Sequence, residues 1–70
     1  MERTAVKSRE IAIIGYDAGT SVLEIAFRSG GVYHYEGVPE DLYARLLSSP
    51  SQGKFFEENI KHNFSYRKVR

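Results

Sequence analysis

His34 and Glu36 stand two apart in Val32-Tyr33-His34-Tyr35-Glu36, so they share one face of any strand built there. Such a pair offers two metal ligands, with His62 as a third, or a histidine base with Asp17 or Asp41 behind it. The spacing supports neither. The chain has no Cys, and no serine lies in a Gly-x-Ser-x-Gly turn. The neighbouring carboxylates Glu40-Asp41 and Glu57-Glu58 would not face each other on a helix, so a paired acid and base is not indicated. Gly30, Gly31 and Gly53 precede no Gly-Lys-Ser/Thr and match no phosphate loop. These residues point away from catalysis, and no metal or cofactor is expected.

Binding chemistry is better represented. Lys61, Arg67, Lys68 and Arg70 make the C-terminal stretch basic, without an acid after Glu58. With Arg28 and Lys54 they could track phosphates, while Tyr66 or Phe64 stacks on bases at about 1–3 kcal/mol each. Four such charges on one strand would give a log–log salt slope of about −3. The plainer alternative is a solvated terminus, residue by residue. The net charge of +1 argues for no partner by itself.

Seventy residues make one domain, 1–70, whose core is too small to supply more than roughly 3–5 kcal/mol of net stability. Its five Tyr and four Phe must carry much of the burial, at about 150–250 Å² each. The apolar run Ile11 to Ile14 is far short of a membrane span. The N-terminus lacks a signal core, so a cytoplasmic location is expected.

The elements that would position these side chains follow in order. Residues 1–9 read as an extended arm. Ile11 to Tyr16 is a strand with apolar residues on both faces, Ile11 and Ile13 on one, Ile14 and Tyr16 on the other. Asp17-Ala18-Gly19-Thr20 is a turn, in which Asp17 can bond its own backbone and Gly19 is free to take positive φ. Val22 to Arg28 alternates, with Leu23, Ile25 and Phe27 inward and Glu24 and Arg28 on the wet face. Ser29-Gly30-Gly31 reverses the chain into Val32 to Glu36. A three-residue loop ending in a left-handed Gly would place Tyr33 and Tyr35 on the buried face. A two-residue loop would instead make them an exposed stacking platform. The odd loop is favoured, because the other choice buries His34 and Glu36.

Pro39 opens a first helix at its first position, with the apolar stripe Leu42, Tyr43, Leu46 and Leu47. Ser51 caps a second helix through Asn59 that carries Phe55, Phe56 and Ile60. Gly53 in its first turn costs about 1 kcal/mol relative to Ala and implies a close backbone approach. Residues 65–70 form either a basic tail or an edge strand. Strands followed by helices predict an α+β fold: an antiparallel three-stranded meander, with a possible fourth short strand at the C-terminus, and two helices on one face.

The order Ile14-Gly15-Tyr16-Asp17, Leu23-x-Ile25-x-Phe27, Gly30, Tyr33-x-Tyr35, Val38-Pro39, Ser51-x-Gly53, Phe55-Phe56 and Ile60-Lys61 resembles the KTSC domain family, from about Ser8 to Val69. That short module is named for the C-terminus of some lysyl-tRNA synthetases and also occurs as a single-domain bacterial protein. Tyr33 and Tyr35 match its signature. The family pattern has Tyr-Phe-Asn where this chain has Phe55-Phe56-Glu57, Arg at Lys61 and Tyr at Phe64. Its function is unassigned, and the resemblance implies RNA or tRNA as the partner. The reading is a non-catalytic nucleic-acid-binding module using Lys54, Lys61, Tyr66, Arg67, Lys68 and Arg70. The alternative is a protein–protein interaction or homodimerisation module, whose open sheet face or edge would be covered on association.

Overall fold

The computed structural model describes all 70 residues. Five antiparallel strands follow one another across a single sheet: β1 (Glu2–Ala5), β2 (Ile11–Asp17), β3 (Val22–Phe27), β4 (Val32–Tyr35) and β5 (Tyr66–Lys68). Helices α1 (Glu40–Ser48) and α2 (Gln52–Asn59) come between β4 and β5. The α+β meander is as expected, and the strand count is higher. The N-terminal arm is itself a strand, pairing Glu2 with Tyr16 and Ala5 with Ile13. Its side chains are all exposed, so main-chain bonding to β2 holds it and hydropathy carries no trace of it. Residues 66–68 resolve the choice between tail and edge strand in favour of the strand, laid along β4.

Phe27 N–H donates to Gly31 O, leaving Arg28-Ser29-Gly30 as a three-residue loop with Gly30 at φ 112°. That odd loop sets Leu23 opposite Tyr35 and Ile25 opposite Tyr33. Both tyrosines therefore lie on the helix-covered face, and His34 pairs with Glu24 on the other.

Strand β2 departs from simple alternation. Ile11 pairs with Phe27 but Ile13 pairs with Ala26, because a bulge intervenes between them. The extra residue rotates Ile11 onto the helix face beside Ile14 and Tyr16. Ile13 is left alone on the uncovered face, 36% exposed. The strand is thus covered on one side only.

The core is Ile11, Ile14, Tyr16, Leu23, Ile25, Tyr35, Val38, Leu46, Phe56 and Ile60. Tyr16 stacks on Tyr43 of α1 at 4.5 Å between centroids and donates from its hydroxyl to Val38 O at 2.6 Å. Phe56 of α2 meets Phe27 and Tyr35 edge-on.

Three local expectations shift. Pro39 is the cap before α1, not its first residue, with an extended ψ of 149°. Asp17 does accept from Gly19 N–H, but the left-handed position of that turn is Ser21 at φ 58°. Ser51 precedes α2 without a side-chain cap, and Gly53 is approached by Ser8 and Glu10, whose side-chain atoms lie 3.5 Å from where its Cβ would stand. No helix is long and apolar enough to cross a membrane.

Candidate binding groove

Period-two alternation on β5 sends Tyr66 and Lys68 to the helix face, opposite Tyr35 and Tyr33, and Arg67 to the other face, opposite His34. A groove of about 430 Å³ opens there between β4, β5 and α2. Phe27, Tyr33, Tyr35 and Phe56 form its apolar part, Tyr66 lines it from the edge strand, and Lys61, His62, Lys68, Glu10 and Glu57 supply its charge and polarity. The Tyr66 ring lies 5.4 Å from Tyr35 and 5.9 Å from Tyr33, and the residue is 60% exposed. Gly31 leaves room for the Tyr33 ring, which a Cβ there would meet at 3.3 Å.

Tyr35 is buried as a residue, yet its hydroxyl has no protein partner and is not among fully enclosed polar atoms. Burial, reinforced by the Tyr66 and Tyr33 phenols, pushes its pKa up to about 12. The hydroxyl therefore stays protonated as a donor across the neutral range. The three tyrosines thus combine two roles that seemed exclusive. Tyr35 is core, Tyr33 is half-buried, and Tyr66 is an open aromatic surface on the helix side of the sheet.

The six binding candidates are not brought together. Lys61, Tyr66 and Lys68 line the groove. Lys54 lines a separate polar depression with Lys7 and Arg9, Arg67 is across the sheet, and Arg70 lines a depression of about 500 Å³ on the uncovered face, with His34 and Glu24. Arg28 donates to the backbone oxygens of Ser8 and Val6, tying down the β1–β2 connection. His62, weighed in the sequence only as a third metal ligand, and Glu57, only as one of two adjacent helix carboxylates, also line the groove. Their sequence context gave no signal, because both sit near the C-terminal end of α2, where exposed polar residues are ordinary. His34 and His62 lie on opposite sides of the sheet, so they cannot share a metal ion.

The uncovered face carries a different device. Glu24, read as a wet-face residue, is only 8% exposed. Arg3 Nε donates to it at 2.7 Å and His34 Nε2 bonds its other oxygen at 2.8 Å. Arg3 reaches it from β1 across the whole of β2, which is possible because Gly15 stands between. A Cβ on Gly15 would meet Met1 Sδ at 2.9 Å and Arg3 Cγ at 3.1 Å. Gly15→Val should therefore part Arg3 from Glu24. In a double-mutant cycle read by urea unfolding, Glu24→Gln is expected to cost about 1 kcal/mol in the parent chain and distinctly less beside Gly15→Val. Equal costs in the two backgrounds would show that Gly15 plays no part in the pair.

The Arg3 hydrogen bond, aided by His34 and opposed by burial, holds the Glu24 carboxyl below its ordinary value of 4.5. The unfolded chain thus binds the proton more readily, and the stabilisation is complete above that ordinary value. It is lost as pH falls through the lower folded value. The melting temperatures of the parent and Glu24→Gln chains should accordingly converge between about pH 5 and pH 3. A gap that stays constant over that range would assign the difference to packing.

Comparison with known proteins places this architecture among others. A family model described as the KTSC domain matches residues 7–64. The crystal structure of a KTSC domain protein from Yersinia pestis superposes with a TM-score of 0.95 at 43% identity, covering 99% of this chain and 97% of that one. A protein of Stutzerimonas stutzeri is 38% identical over 61 residues, which is 87% of this chain and 86% of the relative. A lysine–tRNA ligase of Trichormus variabilis is 37% identical over 54 residues, 77% of this chain but 10% of the ligase.

Proposed function

Because the chain belongs to the KTSC domain family, a domain also found within some lysine–tRNA ligases, we propose that it is a non-catalytic module binding single-stranded RNA in the tyrosine-lined groove. The observation that carries this is the meeting of Tyr33, Tyr35 and Tyr66 with Lys61 and Lys68 on one surface. An exposed phenol ring offers a base a sequence-tolerant stacking surface, and flanking ammonium groups can hold the adjoining phosphates. The matched segment in enzymes named for tRNA favours RNA over other polyanions. Binding is preferred to catalysis because no Ser, Thr, Tyr or Lys lines the depression that holds His34, the candidate base, and Glu24.

The groove holds two lysines, so binding should fall with salt at a log–log slope of about −1.4, half what four charges would give. The chain has five Tyr and no Trp, so quenching of tyrosine emission reports stacking directly. Titration of short RNA strands at several salt concentrations tests the reading. Affinity weaker than millimolar throughout, or a slope of zero, would end it.

A homodimer is the second reading, favoured by Met1, Ile13 and Val69 exposed on or beside the uncovered face. Arg3, Glu24 and His34 cross that same surface, which makes it less apolar than a dimer core requires. Sedimentation velocity separates the two: a concentration-independent monomer excludes the dimer.

A further inference from the structure

Two tyrosines of the helix-covered face are buried, and the fold treats their hydroxyls differently. Tyr16, 6% exposed, donates to Val38 O at 2.6 Å. Tyr35 is buried more deeply, 3% exposed, yet its hydroxyl meets no protein group and is not fully enclosed. A buried phenol ordinarily finds a partner within the fold. Of the depressions on the surface, Tyr35 lines the tyrosine groove alone, so that groove is where a partner for its hydroxyl would come from.

Depth separates the chemistry of the groove. Tyr35 and Phe56 lie at its floor, with Phe27 and Tyr33 half-buried beside them. Lys61, His62, Tyr66 and Lys68 are exposed and form its rim. A phosphate brought to the floor would lose its water among aromatic rings, away from the ammonium groups. A base is a flat, largely apolar plate with its polar atoms at the edge, so it is the part of a strand that suits the floor. Every base edge carries a hydrogen-bond acceptor, and a protonated phenol can donate to any of them. Such a contact orients the ring without choosing among bases, in keeping with sequence-tolerant stacking. A ring without a polar edge would strip water from the hydroxyl and return no bond.

We infer that the Tyr35 hydroxyl is the hydrogen-bonding group of the groove floor, holding a base by its edge and turning away rings of the same shape that lack one. This rests on the single-stranded RNA reading above. The test is a cycle on the full chain at neutral pH and low salt, read by fluorescence anisotropy. Parent and Tyr35→Phe chains each bind a uridine hexamer and the same hexamer carrying difluorotolyl rings, apolar copies of uracil. The parent is expected to prefer uridine roughly tenfold. In Tyr35→Phe, uridine should weaken roughly fivefold, the apolar copy should hold or tighten, and the preference should collapse. The melting temperature of Tyr35→Phe should match or exceed the parent's, because the hydroxyl makes no bond within the fold. Unchanged uridine binding by Tyr35→Phe, or an equal loss for both hexamers, overturns the inference and leaves the RNA reading standing. So does a lowered melting temperature alongside the loss, since the hydroxyl would then serve the fold. Binding of neither hexamer by the parent overturns both.

Discussion

Phe56→Ala is expected to leave the chain largely unfolded at 25 °C. The residue is 3% exposed, and its ring sits edge-on to Phe27 at 5.7 Å and Tyr35 at 5.2 Å. It is the main aromatic link between α2 and the sheet. Truncating a buried phenylalanine costs about 3–5 kcal/mol, which equals the roughly 3–5 kcal/mol a core of this size supplies. Phe56→Leu keeps most of the apolar volume and should fold with a lowered melting temperature, about 4–8 °C for each kcal/mol lost. Far-UV circular dichroism with a thermal ramp distinguishes the two variants. A Phe56→Ala chain as stable as its parent would mean that α2 does not sit on the sheet as described.

Tyr66→Ala should do the reverse, sparing the fold and removing the binding. The ring is 60% exposed and belongs to a three-residue edge strand, so stability should move by no more than about 0.5 kcal/mol. Loss of one stacked base is worth about 1–3 kcal/mol, or roughly 5- to 150-fold in affinity for a short RNA strand. Arg67→Ala is the matched control. It removes a charge one residue away whose strand position faces the other side, and it should change affinity little. If Arg67→Ala weakened binding as much as Tyr66→Ala, the nucleic acid would lie on the uncovered face or around the edge, and not in the groove.

Much of the fold was legible because the alternation in Leu23, Ile25 and Phe27 is strict and an even loop would bury His34 and Glu36. The loop keeps the expected odd length but lies one residue earlier, at Arg28-Ser29-Gly30 and not Ser29-Gly30-Gly31. The alternation and the odd length together set the register that puts Tyr33 and Tyr35 under the helices. Strand β1 was not legible, since none of its side chains is buried and its reason to pair is the free edge of β2. The bulge at Ala12 was hidden for a related reason: Ile11, Ile13 and Ile14 are all apolar, so the sequence does not say which of them turns outward. Burial of Glu24 depends on Arg3 crossing a strand over Gly15, a contact 21 residues apart in the chain.

The binding candidates show how charge and position separate. Counting basic residues after Asn59 joins Lys61, Arg67, Lys68 and Arg70 into one patch. Placing Tyr66, Arg67 and Lys68 on a strand divides them at once, since neighbours on a strand face opposite ways. Half of the groove could thus be found from the sequence as soon as that segment was taken as a strand. Glu10, Glu57 and His62 are supplied by how the β1–β2 connection, α2 and the turn after it lie beside the sheet.

The most direct test is to map backbone amide and tyrosine ring signals by NMR while a short single-stranded RNA is added. Shifts concentrated on Tyr33, Lys61, His62, Tyr66 and Lys68 are the expected result. Shifts concentrated on Arg3, Ile13, His34 and Arg67, or none at any residue up to millimolar RNA, would contradict it.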